Sequence, residues 1–399
     1  MRKILVLAQS YYPASTSGAN ILRRICESLT DKYIVDVFAL SGEDEDLSYD
    51  VVNNVTVFRS DCNTQISKTG NICGRIISVL NGVFSFNILK LRYWQHEFED
   101  KIKGGQYDLV VSFCYPIVSH YIASKARDKD MSFKWIAYYF DPYFCNKQIK
   151  KGYYRRLLTE KKILKKADAV AVPSLIQPEY KKIKSNNLYA VEFPNIIDFS
   201  VAVKEKSICL EEDKIKCVFL GNLYGDIRNP ESLFELIEQL NDMDIKFYFV
   251  GGAYNFEDGF IDGWKKRLDM SIEFIDRVSA ESGNWILKQA DILINIGNSV
   301  DNQLPGKVFD YISTGKPIIS ICKIRNCPSY QFLKRYPLAL LLFEKNNHVC
   351  ENNSVIKKFI YDNAGKEISH FEIQQLYHEY TSANVLKQIK NIFDTVISS

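Results

Sequence analysis

The chain has 399 residues, with 51 Lys and Arg against 48 Asp and Glu and a formal net charge of +3. So small an excess argues against nucleic acid as the main partner, and 46% hydrophobic with 25% charged residues excludes a disordered chain. The length exceeds what one core supports, so about two to three domains are expected. Ten cysteines occur without a CxxC pair, and Cys114 and Cys217 lie in apolar runs. That is the usage of reduced, core-packing cysteine in a cytosolic protein, not of a disulfide framework or a zinc site.

Met1-Arg2-Lys3 precedes the apolar run Ile4 to Ala8, which breaks at Gln9 and reads as a buried strand more readily than as a leader. Tyr11 to Asn20 reads as a loop, followed by a helix on which Ile21, Leu22, Ile25, Cys26 and Leu29 share a face. Gly18 lets backbone approach closely there, for a ligand or for a purely structural turn. Tyr33 to Leu40 and Val51 to Phe58 supply strands. Residues 71–97 are more apolar than a one-faced surface helix, with Arg75, Lys90 and Arg92 interleaved. They read either as helices packed on the sheet or as a monotopic membrane contact. No run reaches the roughly eighteen apolar residues of a spanning helix.

Tyr107 to Cys114 is a further strand, and the helix Pro116 to Ala126 carries His120, which reads as a helix histidine with satisfied partners. Lys134 to Phe140 ends in Asp141-Pro142-Tyr143, placing Asp141 at a strand's carboxyl end, as a cleft carboxylate or as a turn residue. From Lys147 to Lys166 nine of twenty residues are Lys or Arg. With Tyr153, Tyr154, Leu157 and Leu158 the stretch is a basic amphipathic helix, suited to anionic lipid or a polyphosphate carrier, or else a solvated face.

The pattern restarts after the charged stretch Lys204 to Lys214. Ile215 to Leu220 is a strand, followed by the loop Gly221 to Pro230 and the helix Glu231 to Leu240. Gly221 frees the backbone and Arg228 is a bidentate donor ahead of a helix N-terminus, a combination that suits a diphosphate. Strands at Ile245 to Val250 and at Ile272, the helix Ala280 to Gln289, and the strand Ala290 to Ile296 follow. Asn302 to Ile319 then gives a turn at Leu304-Pro305-Gly306, a helix starting at Lys307, a stop at Gly315 and another strand. Lys307 stands at that helix start, and Asp310, one turn on, has a carboxylate able to accept from a diol. Leu338 to Phe343 is a strand, and a terminal helix spans about Ser382 to Ile397.

The segment LPGKVFDYISTGKPII resembles the donor-site segment of retaining, family-four-type glycosyltransferases of the GT-B fold, whose pattern reads P-S/T-K-L-F-E-Y-x-A-x-G-K-P. The resemblance implies an α/β chain of two Rossmann-like domains with a central cleft: residues 1–199 on the acceptor side, 200–380 binding the nucleotide sugar, and 381–399 a helix returning to the first domain. It implies that Asp310 binds the ribose and Lys307 lies near the diphosphate, and that Arg277 and Val278 run along the base. Ser17-Gly18 keeps one glycine of the family's first loop. Three departures stand out: Asn302 where a second acid is usual, Asn222 where Arg is common, and Phe140 where the first domain often has histidine. The catalytic candidates are thus Asp141, Arg228 and Lys307. The donor-binding set is Ser17, Gly18, Gly221, Asn222, Arg228, Arg277, Val278, Asn302, Leu304, Gly306, Lys307 and Asp310. No metal or cofactor is expected; the nucleotide sugar, UDP-linked before GDP-linked, is a substrate. The expected reaction is transfer to a hydroxyl of a lipid-linked saccharide in bacterial surface polysaccharide assembly, at the inner face of the membrane. The rival readings are a nucleotide-sugar-binding protein without transferase activity and a nicotinamide enzyme, the latter disfavoured by the absence of GxGxxG from the first loop.

Overall fold

The central apolar runs become parallel strands whose side chains feed a core on either face of the sheet. In the computed structural model, which describes residues 1–14, 16–40, 49–60, 90–114, 116–129, 132–193 and 208–399, the chain divides into two units. Met1–Pro194 with Ser382–Ser399 forms one and Asn195–Thr381 the other. The 71–89 part of the apolar segment and the expected domain boundary near 199 lie outside the described residues.

The first unit contains β1 (Arg2–Ala8), α1 (Ser17–Leu29), β2 (Tyr33–Ala39), β3 (Tyr49–Val52), β4 (Val55–Arg59), α2 (Leu91–Gly105) and β5 (Leu109–Cys114). It continues with α3 (Val118–Arg127), β6 (Lys134–Tyr139), α4 (Tyr153–Leu164), β7 (Ala169–Val172), α5 (Gln177–Tyr180) and β8 (Leu188–Ala190). The strand order is β3-β4-β2-β1-β5-β6-β7-β8, and among the described residues only β3 runs antiparallel to its neighbour. Alternate side chains of β1 serve two cores. Leu5 and Leu7 pack with Trp94 and Phe98 of α2, while Ile4 and Val6 pack with Leu22 and Ile25 of α1. Fully burying one such leucine or phenylalanine contributes about 1.5–3 kcal/mol.

Two local features differ from the sequence reading. Val51 to Phe58 is split into the arms of a hairpin, because Asn53 and Asn54 take φ of 48° and 65°, a left-handed conformation that asparagine tolerates. Ser17 and Gly18 open α1 instead of lying in a loop. The Thr16 hydroxyl accepts from the Ala19 amide at 3.2 Å and so starts the helix a turn earlier than its apolar face suggests.

The second unit contains β9 (Ile215–Leu220), β10 (Leu223–Tyr224), α6 (Glu231–Leu240), β11 (Ile245–Val250), β12 (Ala253–Tyr254), α7 (Phe260–Leu268), β13 (Ile272–Ile275), α8 (Ala280–Gln289) and β14 (Ile292–Ile296). Then come α9 (Lys307–Thr314), β15 (Ile318–Cys322), α10 (Pro328–Leu333), β16 (Ala339–Lys345), β17 (His348–Val349), α11 (Asn353–Asn363) and α12 (His370–Leu376). The order is β13-β11-β9-β14-β15-β16-β17, parallel except for β17. Strand order reverses between β9 and β14, the point at which open parallel sheets bind ligands beyond their carboxyl ends. The last helix, α13 (Ser382–Ser398), belongs to the first unit. Its Val385, Ile389, Phe393 and Val396 join the α1 core, and Tyr33 donates to Asp394 Oδ1 at 2.8 Å.

Candidate functional site

At the carboxyl end of β9 the backbone is fixed from two sides. The Leu220 amide donates to the Tyr311 hydroxyl at 2.8 Å, and that hydroxyl donates back to the Leu220 carbonyl at 3.2 Å. A buried side chain of α9 thereby holds the helix start against the strand end. Beyond it, Gly221 takes φ of 152° and Gly251, at the end of β11, takes 132°. A Cβ on Gly251 would lie 2.3 Å from the Gly221 carbonyl oxygen, so the two chains approach as only glycine permits. The Asn222 side chain secures the contact by accepting from the Gly252 amide at 3.1 Å.

Arg228 is held inside this frame. Its Nε and Nη2 donate to Asn298 Oδ1 at 3.2 and 2.8 Å, and its Nη1 donates to the Asn222 carbonyl at 3.3 Å. Asn298 is itself buried and donates to the Gln303 carbonyl at 3.2 Å. Burial pushes the Arg228 pKa down, but a guanidinium remains charged all the same. A fixed, partly desolvated cation in this position interacts strongly with an anion brought to it.

The second cation flanks the same glycine. A Cβ placed on Gly221 would stand 3.9 Å from Arg228 Nη1 and 3.9 Å from Lys307 Cγ. Lys307 opens α9, whose start at Gly306 has no side-chain cap, so the positive end of the helix lies beside both side chains. The Lys307 ammonium pairs with Asp310 Oδ2 at 2.8 Å and is 43% exposed. A helical i,i+3 pair of this kind is worth only about 0.2–0.5 kcal/mol, little hindrance to a move toward a diphosphate.

Of the other residues that the resemblance assigns to the donor, Asn302 is buried and Leu304 half-buried in the segment leading to Gly306. Val278 is half-buried near Leu220, both being neighbours of Gly283, whereas Arg277 is exposed on the same loop. Hydrogen bonds thus link Arg228 to Asn222 and Lys307 to Asp310, and Gly221 lies between the two pairs. Asn298 and Tyr311, which hold this group together, were not singled out in the sequence. Asn298 sits in a loop without a motif, and Tyr311 reads there as one more core aromatic.

Ser17, Gly18 and Asp141 belong to the first unit. A Cβ on Gly18 would meet the Phe140 ring at 3.7 Å, and Phe140 packs with Phe113 and Phe193 at centroid distances of 5.2 Å each. The place that the resemblance gives to a histidine is therefore an apolar ring in an aromatic cluster. Asp141, next to it, is exposed. His120 is fully buried, its Nδ1 2.7 Å from the Ser112 hydroxyl, to which the Trp135 indole donates at 2.8 Å. Burial pushes its pKa down to about 3 and keeps the ring neutral. Among the described residues no group of three or more His, Cys, Asp or Glu is placed to hold a metal ion, and no helix is long and apolar enough to cross a membrane.

No family model matches the sequence, and no curated protein matches it. Solved structures do match over almost the whole chain. Sucrose-phosphate synthase from Thermosynechococcus elongatus superposes with a TM-score of 0.73 at 16% identity, covering 100% of both chains. HepE from Anabaena in complex with UDP gives 0.63 at 13%, covering 98% of this chain and 100% of the other. The lipopolysaccharide outer core galactosyltransferase WaaB gives 0.62 at 12%, covering 98% and 99%. Two doubly wound parallel sheets in one chain, matched end to end by these structures, establish that this protein has the GT-B fold.

Proposed function

We propose that the protein is a glycosyltransferase that moves a sugar from a nucleotide sugar, UDP-linked in the first instance, to a hydroxyl acceptor. The observation that carries this reading is the flanking of Gly221 by Arg228 and Lys307 at the uncapped start of α9. In the transfer, the bond between the anomeric carbon and the diphosphate oxygen breaks, and negative charge grows on the leaving nucleoside diphosphate. Arg228, Lys307 and the α9 amides meet that charge without a metal ion, and preorganised donors of this type supply most of such a barrier reduction. Asp310 accepts from the ribose hydroxyls, and the 277–278 loop borders the base. Retention of configuration follows the donor-segment resemblance.

The acceptor is read as a lipid-linked saccharide, in surface polysaccharide assembly at the inner face of the membrane. The support is the outer face of α4, where Tyr154 and Leu158 are 78% and 68% exposed. Lys150, Lys151, Arg155, Lys161, Lys162 and Lys165 are exposed around them, while Glu160, the one acid of the stretch, points inward. Apolar and cationic side chains together suit an anionic headgroup layer.

The test is incubation with a panel of UDP- and GDP-sugars, with and without lipid-linked saccharides, and measurement of released nucleoside diphosphate. Release that depends on one donor supports the proposal. Tight nucleotide binding with no release under any combination would leave a nucleotide-sugar-binding protein.

A further inference from the structure

The loop that follows β6, residues 141–152, is gripped by its backbone through two buried charged side chains of α4. The Phe144 amide donates to Glu160 Oε2 at 2.7 Å, and the Tyr180 hydroxyl donates to Glu160 Oε1 at 2.7 Å. The same hydroxyl accepts from the Tyr143 amide at 3.3 Å. Arg156 donates from Nε to the Tyr143 carbonyl at 3.2 Å and from Nη2 to the carbonyls of Phe144 and Ile149 at 3.4 and 3.1 Å. Its Nη1 donates to the Lys151 carbonyl. Both side chains are buried, Glu160 completely.

We propose that Arg156 and Glu160 are positioning residues, which hold the 141–152 loop so that Asp141 is presented at the carboxyl end of β6. Burying a guanidinium and a carboxyl is costly, and an apolar pair of similar volume would stabilise the unit as well or better. What ionic groups add over apolar ones is direction, and here four backbone carbonyls and two amides of a single loop are addressed, directly or through Tyr180. The loop begins with Asp141, and its next residue, Pro142, is buried beside the gripped Tyr143. The catalytic consequence rests on the transferase reading above; the grip on the loop does not.

The grip has a pH signature. Glu160 faces Tyr139, Tyr180 and Arg156, with Cys114 and Cys145 close enough to feel its charge. Burial pushes its carboxyl up to about 7. Opening the loop would return the carboxyl to water and to its ordinary range, so the closed loop is favoured while Glu160 is protonated. Opening becomes easier as pH rises toward 7 and levels off above it.

The experiment follows hydrogen–deuterium exchange in 141–152, corrected for intrinsic rates, together with kcat and the donor KM. The variants are Tyr180→Phe, Arg156→Met and Glu160→Gln. Tyr180→Phe and Arg156→Met are expected to speed exchange in this loop by about tenfold, the equivalent of one net hydrogen bond. They are also expected to lower kcat while leaving the donor KM unchanged, because Arg228, Lys307 and Asp310, which hold the diphosphate and ribose in the reading above, lie in the other unit. Glu160→Gln is expected to abolish the rise of loop opening with pH. Wild-type exchange in both Tyr180→Phe and Arg156→Met overturns the proposal, as does faster exchange with kcat unchanged. Should the wild type turn over no donor, the transferase reading fails and the exchange data alone decide whether these residues hold the loop.

Discussion

Replacing Arg228 by alanine removes one charge and three hydrogen bonds together. The buried Oδ1 of Asn298 loses both of its donors, and an orphaned buried acceptor costs about 1–3 kcal/mol. In a unit of this size that lowers Tm by a few degrees, so the variant remains folded for assay. The catalytic loss is expected to be larger. A preorganised donor aimed at developing charge is worth about 2.7–4 kcal/mol, or on the order of 10²–10³ in kcat. Arg228→Lys separates charge from geometry. It keeps the cation but cannot place two N–H groups on Asn298 Oδ1 while a third reaches the Asn222 carbonyl, so it should recover only part of the loss. The assay is steady-state release of nucleoside diphosphate from the accepted donor, with UDP affinity measured separately by calorimetry. Because the charge being met grows during bond breaking, kcat should fall further than UDP affinity. An Arg228→Ala protein that folds and keeps kcat/KM within about threefold of wild type would refute the argument.

Gly221→Ala puts a methyl group between the two cations at a φ of 152°; it should cost about 1–3 kcal/mol in denaturant unfolding and weaken UDP binding by calorimetry. Gly251→Ala sets a Cβ 2.3 Å from the Gly221 carbonyl, a clash with backbone that cannot swing aside, so its unfolding midpoint should fall below that of Gly221→Ala. His120 and Glu160 act oppositely on the stability of the first unit. The buried histidine, its pKa lowered to about 3, contributes stability that is lost as pH falls below its ordinary 6.5. The buried glutamic acid, raised to about 7, makes stability fall as pH rises from its ordinary 4.5. Between those ordinary values the two slopes, each about 1.4 kcal/mol per pH unit, nearly cancel. Urea unfolding from pH 4.5 to 6.5 should therefore show stability rising with pH in Glu160→Gln and falling with pH in His120→Asn; parallel profiles would contradict the assignment. Lys161→Glu with Lys162→Glu should reduce flotation with anionic vesicles by at least about tenfold, at about 1 kcal/mol per cation near the surface, and raised salt should mimic the effect.

The α/β class was legible along the chain for a local reason. A strand buried on both faces is a short apolar run, and a helix shows its period, so Glu231 to Leu240 and Ala280 to Gln289 could be bounded from their residues alone. Where a single side chain decides a boundary, the pattern is silent. The Thr16 cap drew Ser17 and Gly18 into α1, and two left-handed asparagines broke Val51 to Phe58 into a hairpin. The basic stretch shows the same limit. Its charge count does not distinguish Arg156, buried on four carbonyls, from Arg155, exposed beside it.

Propensity and period act over a few residues, so the chain alone shows that strands and helices alternate, that a glycine and an arginine follow one strand, and that a lysine opens a later helix. That Arg228 and Lys307 flank the same glycine is a property of the folded sheet. They lie far apart along the chain and meet because β9 and β14 are neighbours at the point where strand order reverses, with Asn298 and Tyr311 fixing the contact. Strand order is set by burial summed over the whole sheet, and no local window contains it.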